Sequence, residues 1–228
     1  YSPTARGCWG IPSHLTSVDM KDPAHQKREF FTSPGGPSGA WGRGGIVRGP
    51  KYIYVQTADG PYDPAAGKFG NSVLALAFKD LRLVDSYTPE NWEYLNAKDL
   101  DLSSANAVAF PFQGKTIVAS VGKESVVSLL DGDNLGGAHH QTPLYTTVRI
   151  GNDKAVCCEG LGFWGAISTA RDSHFTASAV CPSRPVPGRY KYIVADIPFR
   201  KSCMQHNAIP CPLHSRQKPG MESSDYSP

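Results

Sequence analysis

The chain has 228 residues, 40% of them hydrophobic and 19% charged, with a formal net charge of +3. That suits one ordinary domain with a sizeable core, and neither a disordered chain nor a membrane protein. With 23 glycines and 19 prolines it is too heavily punctuated for a helical bundle or coiled coil, no apolar run approaches the ~20 residues of a spanning helix, and its Lys and Arg are too scattered for a nucleic-acid-binding domain.

In chain order, the sequence begins at Tyr1 without a charged n-region and apolar h-region, so it carries no recognisable signal peptide within itself. The first clear strand is 51–57, Lys-Tyr-Ile-Tyr-Val-Gln-Thr, rich in β-branched and aromatic residues and closed by Asp59-Gly60-Pro61. A second strand is expected at 72–78. Thr88-Pro89-Glu90-Asn91 then reads as a helix start, a cap followed by proline at the first position, for a short helix ending by Lys98. Three more strands are expected at 107–110, 116–121 and 125–130. The short connections between them contain Gly114 and Gly122, which predicts an antiparallel meander. From Lys201 onward no period of two or 3.6 survives, and residues 201–228 read as an irregular polar tail. Both ends look cut, and the chain reads as a fragment.

Several segments repeat. Ser72-Val73-Leu74-Ala75-Leu76 is echoed by Ser125-Val126-Val127-Ser128-Leu129, Lys51-Tyr52-Ile53 by Lys191-Tyr192-Ile193, and Trp41-Gly42 by Trp164-Gly165. Repeated strand-turn-strand units 50 or more residues apart are the signature of propeller blades, each a small antiparallel sheet.

The stretch 39–166 resembles the quinoprotein alcohol dehydrogenase-like β-propellers, whose blades are PQQ-like repeats. The resemblance rests on Trp41-Gly42-Arg43-Gly44-Gly45, Gly60-Pro61-Tyr62-Asp63-Pro64 and Gly70-Asn71-Ser72-Val73-Leu74-Ala75-Leu76. It continues through Phe110-Pro111-Phe112, Gly122-Lys123-Glu124, Leu129-Leu130-Asp131, Thr142-Pro143-Leu144-Tyr145 and Gly162-Phe163-Trp164-Gly165-Ala166. It implies an all-β fold of antiparallel β-propeller blades, about three of them within residues 1–200 and so an incomplete ring. It also implies export to the periplasm or cell surface, and as partners the remaining blades of a parent chain or a second copy.

In the dehydrogenases of that family, pyrroloquinoline quinone lies on the propeller axis beside a calcium ion. A tryptophan stacks on one face, a disulfide between adjacent cysteines covers the other, and a carboxylate is the base. By resemblance, Trp41 and Trp164 have the flat faces for such stacking, and Arg43 and Lys123 the charge for a ligand's carboxylates. Asn71 and Glu124 offer oxygen, although no calcium ligand set can be assembled from sequence. Each has a structural alternative. Trp-Gly lets neighbouring strands pack closely, and Gly-flanked Arg or Lys commonly sits in a solvent-facing turn. Cys157-Cys158 has the adjacent-cysteine chemistry but stands in Val156-Cys157-Cys158-Glu159-Gly160, away from the family's motif.

Asp59-Gly60-Pro61-Tyr62-Asp63 and Asp131-Gly132-Asp133-Asn134 each hold two carboxylates, but neither has the distal ligand of a calcium loop, and Asp-Gly is first a turn signal. Cys203, His206, Cys211 and His214 have zinc-ligand types at an unsuitably short spacing, and His139-His140 reads as a solvated pair. There is no Gly-x-Ser-x-Gly elbow, P-loop or HExxH. Six cysteines are compatible with disulfides after export. Three readings stand side by side: blades acting as scaffold or ligand-binding surface without a complete active site, part of a PQQ- and calcium-dependent alcohol or sugar dehydrogenase, and a propeller for protein–protein assembly.

Overall fold

The structure, a computed structural model, describes residues 1–4, 12–42, 44–150, 162–165, 167–170, 174–179, 193–194 and 197–198, the last groups from 169 onward by backbone alone. Arg43, Cys157, Cys158, the pair Lys191-Tyr192 and the tail 201–228 lie outside the described residues.

Antiparallel sheets follow one another along the chain. The first holds β1 (Ser2–Pro3), β2 (His14–Val18) and β3 (Lys27–Phe31) in that order. The second contains β4 (Val47–Arg48), β5 (Tyr52–Gln56), β8 (Val73–Ala77) and β9 (Leu83–Tyr87). A hairpin of β6 (Tyr62–Asp63) and β7 (Lys68–Phe69) is inserted between β5 and β8. After helix α1 (Trp92–Ala97), the third sheet runs β10 (Val108–Phe112), β11 (Lys115–Ser120), β12 (Ser128–Asp131), β13 (Tyr145–Thr146). A fourth begins with β14 (Ile167–Ala170) and β15 (His174–Ala179), with β16 (Ile193–Val194) and β17 (Ile197–Pro198) both on β15. No helix among the described residues is long and apolar enough to cross a membrane.

The local chemistry accounts for these elements. Gln113 and Gly114 both have positive φ, 48° and 77°, closing the two-residue turn that pairs Phe112 with Lys115. That register sets Ala119 opposite Val108 and fixes which side chains face each way. The period of two then loads both faces of the second sheet. Ile53, Val55, Leu74 and Leu76 pack with Leu15 of the first sheet, while Tyr54, Val73 and Ala75 pack with Val118 and Leu130 of the third. On its other face the third sheet sends Phe110, Ile117, Ala119 and Leu129 against Phe163 and Ile167 at the start of the fourth. A fully buried aliphatic side chain contributes about 1.5–3 kcal/mol, so these three inter-sheet cores are the main stabilising term. Strand β10 touches β4 on one side and β14 on the other, so the first strands of consecutive sheets are neighbours. All-β antiparallel blades stacked face to face are the architecture predicted from the repeats.

The meander of β10, β11 and β12 forms as predicted, and the strands expected at 51–57, 72–78 and 116–121 differ only at their ends. Three details differ. Asn91, not Thr88, stands at the start of α1, because the Thr88 hydroxyl is engaged with Ser72 Oγ at 2.6 Å. Strand β12 starts at Ser128 rather than Ser125, since Ser125 has a φ of 64° and cannot join the ladder. Strands β2 and β3 lack a clean alternation of apolar residues in sequence and were not anticipated. The Ser72/Ser125 echo falls on the third strands of two successive sheets, and the Trp-Gly echo on the segments leading into β4 and β14.

Candidate functional site

Three segments that lead into the first strands of successive sheets, 39–42, 103–106 and 162–165, run side by side. Ser103 Oγ donates to the Gly39 carbonyl at 3.0 Å, and Ser104 Oγ donates to the Phe163 carbonyl at 2.7 Å. Gln56 Nε2, at the end of β5, donates to the carbonyls of Leu102 at 2.6 Å and Val121 at 3.1 Å. This junction carries Trp41 and Trp164, whose ring centroids are 5.9 Å apart and tilted by 49°. Two tryptophans 123 positions apart in the chain therefore meet.

Lys123 lies between them and the acidic loop after α1. Its Nζ is 4.9 Å from the Trp164 ring centroid and 5.6 Å from that of Trp41. It donates to Asp101 Oδ2 at 2.6 Å, Asp99 Oδ1 at 3.0 Å and the Asp99 carbonyl at 2.9 Å. Lys123 is 4% exposed, so it is a buried ion-pair residue and not a solvent-facing turn lysine. Burial pulls its pKa down, but the hydrogen bond and charge of Asp101, and then of Asp99, outweigh this and hold the ammonium above the usual lysine range.

Asn71, at φ 46° before β8, is equally engaged. Its Nδ2 donates to Asn96 Oδ1 at 2.8 Å and Asp59 Oδ1 at 3.1 Å, and its Oδ1 accepts from Leu102 N at 2.8 Å. Asn96, on α1, grips the turn at Gly60 through both its amide atoms. Asp59 N donates to Asp101 Oδ1 at 3.0 Å, which places the two carboxyl groups together. Burial, and next the charge of Asp101, push the Asp59 carboxyl up to about 7. The Asp131-Gly132-Asp133 turn is a different matter, since Lys115 pairs with Asp131 and Lys51 with Asp133 there. Glu124 is held by Arg149 and Asn91.

Of the six residues singled out in sequence, Trp41, Lys123 and Trp164 thus form one cluster, Asn71 joins it through Asp59, Glu124 stands with Arg149 and Asn91, and Arg43 lies outside the described residues. Sequence reasoning missed Asp99, Asp101 and Asn96 and left Asp59 as a turn residue. A signal was present in Asp99-Leu100-Asp101-Leu102. There Leu100 and Leu102 are buried, and the intervening carboxylates share one ammonium. His140 is not merely solvated, because its Nδ1 meets Asp85 Oδ1 at 3.0 Å.

Neither a protein-family model nor a curated protein matches the chain. Among solved structures it is similar to the quinohemoprotein alcohol dehydrogenase from Comamonas testosteroni, at 13% identity and a TM-score of 0.51. The likeness covers 75% of this chain and 34% of that one, so the chain spans about a third of that enzyme's length. At this identity the likeness is one of fold, a β-propeller arrangement.

The described residues do not fit a quinone ring between Trp41 and Trp164. Contact on both faces of a flat ring needs about 7 Å between the flanking planes, whereas the indoles stand 5.9 Å apart with Lys123 across them. Nor does the carboxylate cluster fit calcium. Carboxylate oxygens of Asp59, Asp99 and Asp101 lie within 4.8 Å of one another, but the Lys123 ammonium already holds that place.

Proposed function

We propose that residues 1–200 are β-propeller blades acting as a scaffold or ligand-binding surface, without a complete active site in this chain. One observation carries this reading. The side chains that a cofactor would use are bonded to one another, Lys123 to Asp99 and Asp101 and Asn71 to Asp59, Asn96 and Leu102. Buried polar groups satisfied in this way lock the loops between sheets, which is a structural duty. The partners are further blades, supplied by a longer parent chain or a second copy, in an exported protein.

The second reading is part of a PQQ- and calcium-dependent alcohol or sugar dehydrogenase. What favours it is Asp59, a carboxyl whose pKa is raised to about 7 in a cluster beside two tryptophans. Groups shifted in that way concentrate at functional sites.

Titration of the chain with PQQ and calcium, followed by tryptophan fluorescence and thermal unfolding, separates the two. Unchanged fluorescence and an unchanged melting temperature support the scaffold. Saturable quenching with a calcium-dependent rise in melting temperature overturns it in favour of the dehydrogenase.

A further inference from the structure

The cluster has an imbalance of charge. Among the described residues, three carboxyl groups, Asp59, Asp99 and Asp101, face the Lys123 ammonium, which bonds Asp99 and Asp101. Asp101 is filled on both sides, with Lys123 Nζ on Oδ2 and the Asp59 amide on Oδ1. The Asp59 carboxylate accepts from the neutral amide of Asn71. Its carboxyl is therefore pressed against a carboxylate, and among the described residues no cation bonds it.

We propose that Asp59 is a proton-operated latch between the loop after β5 and the loop after α1: protonated, its carboxyl donates to Asp101 and closes the joint, and ionised it repels Asp101 and loosens it. Among the described residues, the groups facing Asp59 can be counted by element. The loop after α1 presents Asp99 and Asp101, with neutral Asn96 at the end of the helix. The segment before β8 presents neutral Asn71. The loop after β11 presents Lys123, which reaches Asp101 and Asp99. Both acids within reach share the Lys123 counter-ion, which leaves Asp59 as the group that retains the proton. Its raised pKa, about 7, agrees with this geometry.

Ionisation acts beyond the two carboxyls because Asp101 is shared. A second negative charge beside Asp101 changes the hold on Lys123, and Lys123 lies over both indoles. The latch thus couples proton concentration to the meeting point of three consecutive sheets.

The test uses the chain without any ligand, so its outcome is independent of whether the cluster binds one. Side-chain carboxyl ¹³C NMR of the wild type, with tryptophan fluorescence recorded in parallel, is followed from about pH 5 to about pH 9. The expected result is an Asp59 carboxyl resonance titrating with a midpoint near 7 and a fluorescence change at the same midpoint. Asp59→Asn, which keeps the shape and removes the titration, abolishes the fluorescence step. An Asp59 resonance already fully ionised at the acid end overturns the proposal, as does an unchanged fluorescence step in Asp59→Asn. Should that variant fail to fold, the wild-type resonance decides alone.

Discussion

Gly42 and Ala105 stand so close that a Cβ on Gly42 would lie 2.3 Å from the Ala105 carbonyl oxygen and 2.7 Å from that of Ser103. Both obstacles are backbone, so neither can rotate away. The Trp-Gly pair repeated in the sequence is thus explained at its first copy: the glycine lets the segment before β4 run against the segment before β10, and the tryptophan beside it reaches Trp164.

Gly42→Ala should accordingly destabilise the fold by about 3 kcal/mol, the upper end of the range for overpacked sites, because its surroundings cannot yield. Gly67→Ala is the control. Gly67 has a φ of 69° with nothing within 4 Å of an added Cβ, so only the left-handed backbone penalty of about 1–2 kcal/mol applies. Urea unfolding of both variants checks the ordering, and equal losses would disprove the close-approach argument.

Replacing Lys123 by Met should cost about 3–5 kcal/mol, because it strands a buried carboxylate at Asp101. Adding Asp101→Asn to that variant should restore part of the loss, since the uncompensated charge is then gone. A double-mutant cycle by denaturant unfolding measures the coupling. Strictly additive losses would mean that the 2.6 Å pair contributes nothing of its own.

Stability should fall as pH rises from about 4 to about 7 through the Asp59 contribution. The sign follows from proton counting. The folded-state pKa is raised to about 7 from an ordinary value of 3.8, so between those values the folded chain holds a proton that the unfolded chain has released. The contribution is fully present below the unfolded value and is lost as pH passes the folded one. Chemical denaturation at a series of pH values should show this slope in the wild type and a flatter one in Asp59→Asn.

Tyr54→Phe tests the seam between the second and third sheets. The buried Tyr54 hydroxyl donates to the Gly132 carbonyl at 3.1 Å, and burial raises its pKa to about 12. Removing the hydroxyl should cost about 1 kcal/mol, with the ring still filling the same space. A loss no larger than the error of the unfolding curves would mean that water replaces the bond.

Much of the architecture is written locally. The β-branched run at 51–57, the Gln113-Gly114 turn and the paired echoes are short-range features, and short-range sterics and periodicity suffice to make strands, turns and meanders of them. Trp41, Asn71, Lys123 and Trp164 stand in the short motifs that carry the family resemblance, and their convergence follows from stacking one repeat on the next. What those residues are bonded to is another matter. Asp59 looks like a turn acid and Lys123 like a turn lysine until the loop after α1 brings Asp99 and Asp101 between them. Their burial, their pairing and the raised pKa of Asp59 come from contacts 22 to 42 positions apart. Such contacts have no pattern in the chain, because desolvation and charge pairing depend on where the sheets stack in space and not on sequence spacing.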